Sequence, residues 1–248
     1  MARSVSIVVG ASSGIGECIA RRQAADGLTV VLLARRGAEV QRIAEEINKN
    51  CGADLAVGIA HDVTDLDSVD PLWDEIEAAH GKVGSMFFAA GILEDVGPDE
   101  FDTIKDKRHF DINTMGSVAW VNAAACRFGS RGAGTIVGIS SVAQDRGRVG
   151  RPAYNASKAG MDTHLEAVRN RLWRKGVTVT TIRPGFVETP MTAGVEGMFW
   201  LITADRAAEL TIAAARRRRA VVYIPGRWCL MMFVIRNIPS FVFRKLSV

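Results

Sequence analysis

Tyr154 and Lys158 stand four positions apart in Tyr-Asn-Ala-Ser-Lys, the separation that puts two side chains on one face of a helix. A phenol with a pKa of about 10 is a poor acid-base group at neutral pH. A neighbouring ammonium stabilises its anion and brings it towards the working range. Ser141, thirteen positions before Tyr154 at the end of an apolar run, could polarise a carbonyl with its hydroxyl. Together the three side chains suit proton transfer at a carbonyl or alcohol oxygen. A tyrosine merely packed on its helix is the alternative for Tyr154.

A second set of residues sits near the N-terminus. The apolar run Val5 to Val9 passes into Gly10-Ala11-Ser12-Ser13-Gly14-Ile15-Gly16, and a helical pattern with Ala20 and Ala24 on its inner face follows. Glycines at such a turn let the backbone approach a pyrophosphate, and the helix N-terminus beyond it offers free N–H groups and positive dipole. A plain structural turn is the competing explanation.

The next apolar run ends Leu33-Ala34-Arg35-Arg36, with no acidic residue before Glu39. An Asp or Glu there would accept from a ribose 2′-hydroxyl, whereas arginine neutralises a 2′-phosphate. NADP(H) is therefore the expected cofactor, with Arg35 and Arg36 as its selectors and Ser12 and Ser13 as further donors; two arginines capping a surface strand are the alternative. Asp62-Val63 closes the third run, where an aspartate can bond an adenine amino group. Lys158 could also bond the nicotinamide ribose hydroxyls.

The elements that must position these residues are legible as an alternation. Val5 to Val9, Thr29 to Leu33, Leu55 to Ile59, Val83 to Phe88, Thr135 to Ile139 and Val177 to Ile182 read as buried strands. Amphipathic stretches at Glu17 to Ala25, Ala38 to Asn48, Val69 to Ala79 and Ala156 to Arg174 lie between them. Such βαβ units with right-handed crossovers predict one α/β domain: a Rossmann-type, doubly wound parallel sheet with helices on both faces. The domain is expected to span residues 1–225, with an apolar-basic tail at 226–248 that has no place in the alternation.

With 248 residues, 48% of them hydrophobic and 23% charged, disorder is excluded and a core can form without disulfide or metal staples; no metal site is expected. Cys18, Cys51, Cys126 and Cys229 form no Cys-x-x-Cys pair, the usage of a reducing compartment. The N-terminal apolar run is too short for a signal-peptide core, so a cytoplasmic location is expected. Eight of the 31 basic residues fall between Arg216 and Val248, where there is no Asp or Glu; the remaining 23 face 27 acidic residues. The positive charge thus belongs to the tail, and nucleic acid is not an expected partner.

These motifs together resemble the short-chain dehydrogenase/reductase family over residues 4 to about 225. The family's glycine loop maps to Gly10, Gly14 and Gly16, its serine to Ser141 and its tyrosine-lysine pair to Tyr154 and Lys158. The resemblance implies that Asn113, in Asp-Ile-Asn-Thr, holds a water in a proton relay with Lys158. It also implies that Pro184-Gly185-Phe186-Val187-Glu188-Thr189 closes over the nicotinamide, with Pro184, Gly185, Val187 and Thr189 on the cofactor. Two departures stand out. The family's Asn-Asn-Ala-Gly is Phe88-Ala89-Ala90-Gly91 here, leaving Ala90 and Gly91 at the cofactor, and Val9 replaces a usual threonine. A homodimer or homotetramer is the assembly that the family implies.

The substrate side is less determined. Met198-Phe199-Trp200-Leu201-Ile202 is either core or an apolar lid over a hydrophobic substrate. Arg146, Arg148 and Arg151 are either solvated surface or a rim that binds an anion. The tail is too interrupted to cross a bilayer and suits either peripheral contact with a membrane interface or a subunit contact. Its stretch Met231 to Leu246 also resembles the ending of a reductase that acts on a polyprenyl-phosphate keto-sugar, which implies a lipid-linked carbonyl substrate. Two functions follow: an NADP(H)-dependent carbonyl reductase of a hydrophobic or lipid-linked ketone, or a non-catalytic NADP(H)-binding protein recruited by its tail.

Overall fold

The computed structural model describes residues 4–97 and 99–246. Positions 1–3 and 98 of the expected domain, and 247 and 248 of the expected tail, lie outside the described residues. Along the chain run β1 (Val5–Val9), α1 (Gly14–Ala25), β2 (Thr29–Ala34), α2 (Gly37–Cys51), β3 (Ala56–Ala60), α3 (Val69–His80) and β4 (Val83–Phe88). Then come α4 (Thr103–His109), a π-helical turn (Phe110–Met115), α5 (Gly116–Arg131), β5 (Gly134–Ile139), a 3-10 turn (Val142–Asp145), α6 (Pro152–Leu172) and β6 (Val177–Pro184). The chain continues through β7 (Val187–Glu188), β8 (Ile202–Thr203), α7 (Ala204–Arg216), β9 (Val221–Ile224), α8 (Trp228–Asn237) and α9 (Ser240–Phe243).

Seven strands form one parallel sheet in the order β3-β2-β1-β4-β5-β6-β9, the doubly wound arrangement that the alternation predicts. Parallel strands covered on both faces have no solvent-facing positions, which is why they read as continuous apolar runs. In β2, Val30 and Leu32 pack with Ile19, Ile43 and Ile212 from α1, α2 and α7. The alternate residues Val31 and Leu33 pack with Trp73, Trp120 and Leu165 from α3, α5 and α6. The chain winds outward from β1 to β3 and returns to β4, so a crevice opens at the carboxyl ends of β1 and β4, where ligands of such sheets bind.

Three of the differences from the sequence reading have a local cause. β3 begins at Ala56 and not Leu55, because the Asn48 amide accepts from the N–H groups of Leu55 (2.8 Å) and Ala56 (2.7 Å). α6 begins at Pro152, four residues before its amphipathic pattern, since proline at the first helical position has no N–H to lose. β9 is absent from that reading: it is a four-residue edge strand one residue beyond Arg216–Arg219, whose charge obscures the start of an apolar run. The tail corrects the sequence reading too. α8 buries Trp228 and Met232 against Val142, so its first half is built onto the end of the sheet. Among the described residues no helix is long and apolar enough to cross a membrane.

Candidate active site

The glycine loop brings three pieces of backbone together. Gly10 has φ +86°, and a Cβ there would lie 2.3 Å from Ala90 N. A Cβ on Gly16 would lie 2.2 Å from Gly10 O. Only residues without a side chain let the ends of β1 and β4 and the start of α1 meet this closely. Ser13 is extended ahead of α1, and the first N–H groups of the helix, among them those of Ile15 and Gly16, have no intrahelical partner. From the other side Thr189 reaches over Gly14, whose Cβ would lie 3.0 Å from the threonine methyl. A cavity of about 320 Å³ follows this loop from Arg35 and Arg36 to Tyr154 and Lys158.

At the outer end of the cavity, Arg36 Nη2 donates to Ser12 Oγ (2.9 Å), Ser13 Oγ (3.0 Å) and Ser12 O (3.1 Å). The guanidinium is thereby held over the loop beside the exposed Arg35. Asp62 and Val63 line the same cavity after β3. The Asp62 carboxyl lies below its usual range, chiefly because Thr64 donates to it from the backbone (3.0 Å) and the hydroxyl (2.8 Å), with Arg35 adding a smaller pull. His61, which sequence reasoning missed, is pinned by Trp120 Nε1 at 3.0 Å and kept below the usual histidine range by burial.

The inner end joins β4, β5, α6 and the π-turn. The turn carries an extra residue per cycle, and Asn113 on it is fully buried. Its Oδ1 accepts from Ile92 N (2.8 Å), and its Nδ2 donates to Ile92 O (3.1 Å) and Ser157 Oγ (3.1 Å). Gly91 leaves room for the meeting: a Cβ there would lie 3.1 Å from Asn113 Oδ1 and 3.3 Å from Lys158 Nζ. Ser141, two residues beyond β5, caps the 3-10 turn, its Oγ accepting from Ala143 N at 3.1 Å.

Tyr154 lies in the first turn of α6, edge-on to the buried His109 at 6.4 Å between ring centres. Burial raises the phenol, and the Ser141 hydroxyl and the charges of Arg151 and Arg148 offset part of that rise. Lys158 makes no hydrogen bond to the phenol whose anion its spacing suggests it would stabilise. Its Nζ donates instead to Ile139 O at 3.0 Å, and burial lowers its ammonium to about 8. Both side chains are dehydrated on the same face, and the carbonyl at the end of β5 is the acceptor the lysine meets. The structure therefore brings Ser141, Tyr154 and Lys158 to one end of the cavity, with Asn113 buried behind Gly91 and Ile92.

The substrate side is organised around Trp228, which sequence reasoning did not single out. Pro184 ends β6 and Gly185 lies beneath Trp228 of α8: a Cβ on Gly185 would be 1.9 Å from the indole nitrogen. Trp228 also stacks on Phe199 at 5.1 Å and meets Trp200 (5.5 Å) and Phe186 (5.7 Å) edge-on. Trp200 takes φ +56°, a left-handed conformation costing about 1–2 kcal/mol, with Arg227 4.9 Å over its ring. The apolar run 198–202 is thus neither buried core nor a free lid; it is anchored through Phe199 and Trp200 while Phe199 and Leu201 remain exposed.

The three arginines do not form a common rim. Arg146 donates to the carbonyls of Ile235 (3.1 Å), Arg236 (3.2 Å) and Ile238, capping the end of α8, and lies 4.1 Å over Phe243. Arg151 pairs with Asp95 at 3.0 Å. Behind the site, Arg183 binds Asp162 through Nη2 (2.7 Å) and Nε (3.1 Å) and donates to Tyr223 Oη (2.7 Å). Tyr223 in turn donates to Asp145 at 2.8 Å. Burial and that carboxylate push its phenol up to about 12. The network joins β6, α6, β9 and the 3-10 turn after Ser141, with no sequence spacing that would reveal it.

Comparison with known proteins agrees with this architecture. A profile of the short chain dehydrogenase family matches residues 4–198. An uncharacterized oxidoreductase of Mycobacterium tuberculosis is 32% identical over 240 residues, 97% of this chain and 96% of that protein. Another from Streptomyces coelicolor is 30% identical over 98% of this chain and 95% of its own length. Among solved structures, a short-chain dehydrogenase from Sphingobium yanoikuyae in complex with NADPH superposes with TM-score 0.82 at 24% identity, covering 96% of this chain and 97% of its own. A variant of actinorhodin polyketide ketoreductase with NADPH gives TM-score 0.79 at 25% identity, over 90% of this chain and 97% of its own.

Proposed function

This chain belongs to the short chain dehydrogenase family of oxidoreductases, and we propose that it is an NADP(H)-dependent carbonyl reductase whose substrate is hydrophobic or lipid-linked. The observation that carries this reading is that the Arg36–Ser12–Ser13 clamp and the Ser141–Tyr154–Lys158 group open into one cavity. The closeness of Gly10 to Ala90 and of Gly16 to Gly10 leaves bare backbone where a pyrophosphate would rest, so the residues present fit the dinucleotide. NADPH, when bound, supplies the hydride to the carbonyl carbon.

The protein's own residues do the rest. Ser141 orients the carbonyl oxygen, and Tyr154 donates the proton to it. Lys158, released from Ile139 O, bonds the ribose hydroxyls and, with Asn113, passes a proton back to the phenolate. Arg36 and Arg35 hold the 2′-phosphate. Pro184, Gly185, Val187 and Thr189 cover the nicotinamide, while Asp62 and Val63 meet the adenine.

Two observations favour an apolar, membrane-borne substrate. Leu230, Phe233 and Val234 project from α8 at 72%, 58% and 55% exposure, spaced as one helix face, and the chain from Arg216 onward has basic but no acidic residues. Such a face suits the anionic surface of a membrane. The stretch Met231 to Leu246 also resembles the ending of decaprenylphosphoryl-2-keto-ribose reductase.

The test is direct. NADPH should bind more tightly than NADH, and a panel of aliphatic and aromatic ketones should be reduced with stoichiometric NADPH oxidation. NADPH binding without turnover on any ketone would favour the non-catalytic alternative. Intact protein should float with phosphatidylglycerol vesicles and less so with phosphatidylcholine alone. A Leu230→Ser, Phe233→Ser, Val234→Ser variant that floats equally well would end the membrane reading.

A further inference from the structure

Arg148 stands apart from its neighbours in the stretch between Ser141 and Tyr154. Arg146 is bound to three tail carbonyls and Arg151 to Asp95. Arg148 has no carboxylate within ion-pair distance among the described residues, and its Nε is buried without an acceptor. Its Nη2 meets the Met232 sulfur at 3.9 Å, a weak acceptor. The nearby acid, Asp145, is occupied by Tyr223 and Gln144 and lies 3.6 Å from Arg183.

A half-buried guanidinium whose Nε lacks an acceptor costs stability, and buried donors in native structures have acceptors as a rule. Groups of this kind concentrate at functional sites, where a ligand can complete them. Arg148 is also close enough to Tyr154 for its charge to favour the phenolate, and burial holds its own guanidinium below the usual arginine range. Arg148 therefore lies near Tyr154 on one side and Met232 of α8 on the other, beyond the residues that line the dinucleotide cavity.

We propose that Arg148 is the anion-binding, specificity-determining residue of the substrate site, and that it takes a phosphate or carboxylate carried by the carbonyl substrate. The guanidinium fork matches two oxygens of either group. This deepens the carbonyl reductase reading and rests on it.

The experiment uses the full chain saturated with NADPH, so that the 2′-phosphate site is filled. Inorganic phosphate and acetate are titrated calorimetrically into unmodified protein, Arg148→Gln and Arg148→Lys. At least one anion should bind saturably, about tenfold more weakly in Arg148→Gln, with partial recovery in Arg148→Lys; the stronger of the two identifies the anion class. Absent binding, or equal binding in Arg148→Gln, overturns the proposal. Kinetics supply the second arm, with dihydroxyacetone phosphate against dihydroxyacetone and levulinate against its methyl ester. The ratio of kcat/KM for charged over neutral ketone should fall about tenfold in Arg148→Gln, and an equal loss on both members of a pair overturns it. Melting should be unchanged or higher in Arg148→Gln; a fall marks a structural prop instead. If no ketone is reduced, the reductase reading fails while the titration still decides Arg148.

Discussion

The two ends of the cavity are built on different principles. At the dinucleotide end, backbone does the shaping: Gly10 and Gly16 admit strand, turn and helix to distances that any side chain would forbid. At the substrate end, side chains do it: Trp228 lies on Gly185, Phe199 and Trp200 lean on Trp228, and Arg146 fastens the tail. A backbone-built site depends on a few positions close in sequence. A side-chain-built site depends on contacts between residues far apart, and so tolerates change in any one partner only if the others adjust.

The widest separation of the two ends is expected from Tyr154→Phe, which removes a proton donor and leaves both walls in place. Turnover should fall by about 10²–10⁴ while NADPH affinity stays within about twofold. A comparable loss of affinity would mean that the phenol holds the cofactor and is not confined to the chemistry.

Trp228→Ala should come next, costing about 3–5 kcal/mol of stability in urea denaturation, as for other large aromatic side chains lost from a packed site. Gly185→Ala pushes a methyl into the same indole and should cost about 1–3 kcal/mol. In both variants the ketone KM should rise more than the NADPH dissociation constant. If the two rise together, the ends are one unit and the contrast collapses.

Arg36→Ala tests the outer end. Loss of charge-assisted bonds to the 2′-phosphate should weaken NADPH by about 1.5–3 kcal/mol, roughly ten- to a hundredfold, and leave NADH unchanged in equilibrium titrations. An equal effect on both dinucleotides would assign Arg36 to the loop itself, through Ser12 and Ser13.

The smallest effect concerns Lys158. Its ammonium loses its proton near pH 8 in the folded protein and near its ordinary 10.5 in the unfolded chain. Between those values the unfolded chain binds more protons, so stability rises with pH through that window. Without cofactor, the gain from pH 7 to pH 9 should be about 1 kcal/mol larger in unmodified protein than in Lys158→Met. Equal slopes in the two proteins would show that the lysine is not depressed.

What could be read from the sequence follows the same division. The glycine loop, the arginines after β2, and Ser141, Tyr154 and Lys158 were legible because strand ends and helical spacing are local, and the structure brings them to one cavity. Asn113 was legible through family resemblance alone, since nothing in Asp-Ile-Asn-Thr announces a π-turn. The arginine trio read as one feature because spacing along the chain cannot reveal that Arg146 caps a helix some ninety residues away, whereas Arg151 has a carboxylate nearby in space. The same limit hid Trp228, whose partners include Gly185 and Phe199, and β9, whose four residues follow an arginine run.

The indole over Gly185 also sets an order of assembly. Translation delivers the N-terminal portions of a chain first, and every crevice residue from Gly10 to Thr189 is made before Trp228. A ribosome-bound chain thus holds the glycine loop, Arg35, Arg36, Ser141, Tyr154 and Lys158 before it holds the indole that packs on Gly185. Until α8 is made and docks, Gly185, Phe186 and Phe199 have no indole to pack on, so this wall of the crevice is completed only near the end of synthesis.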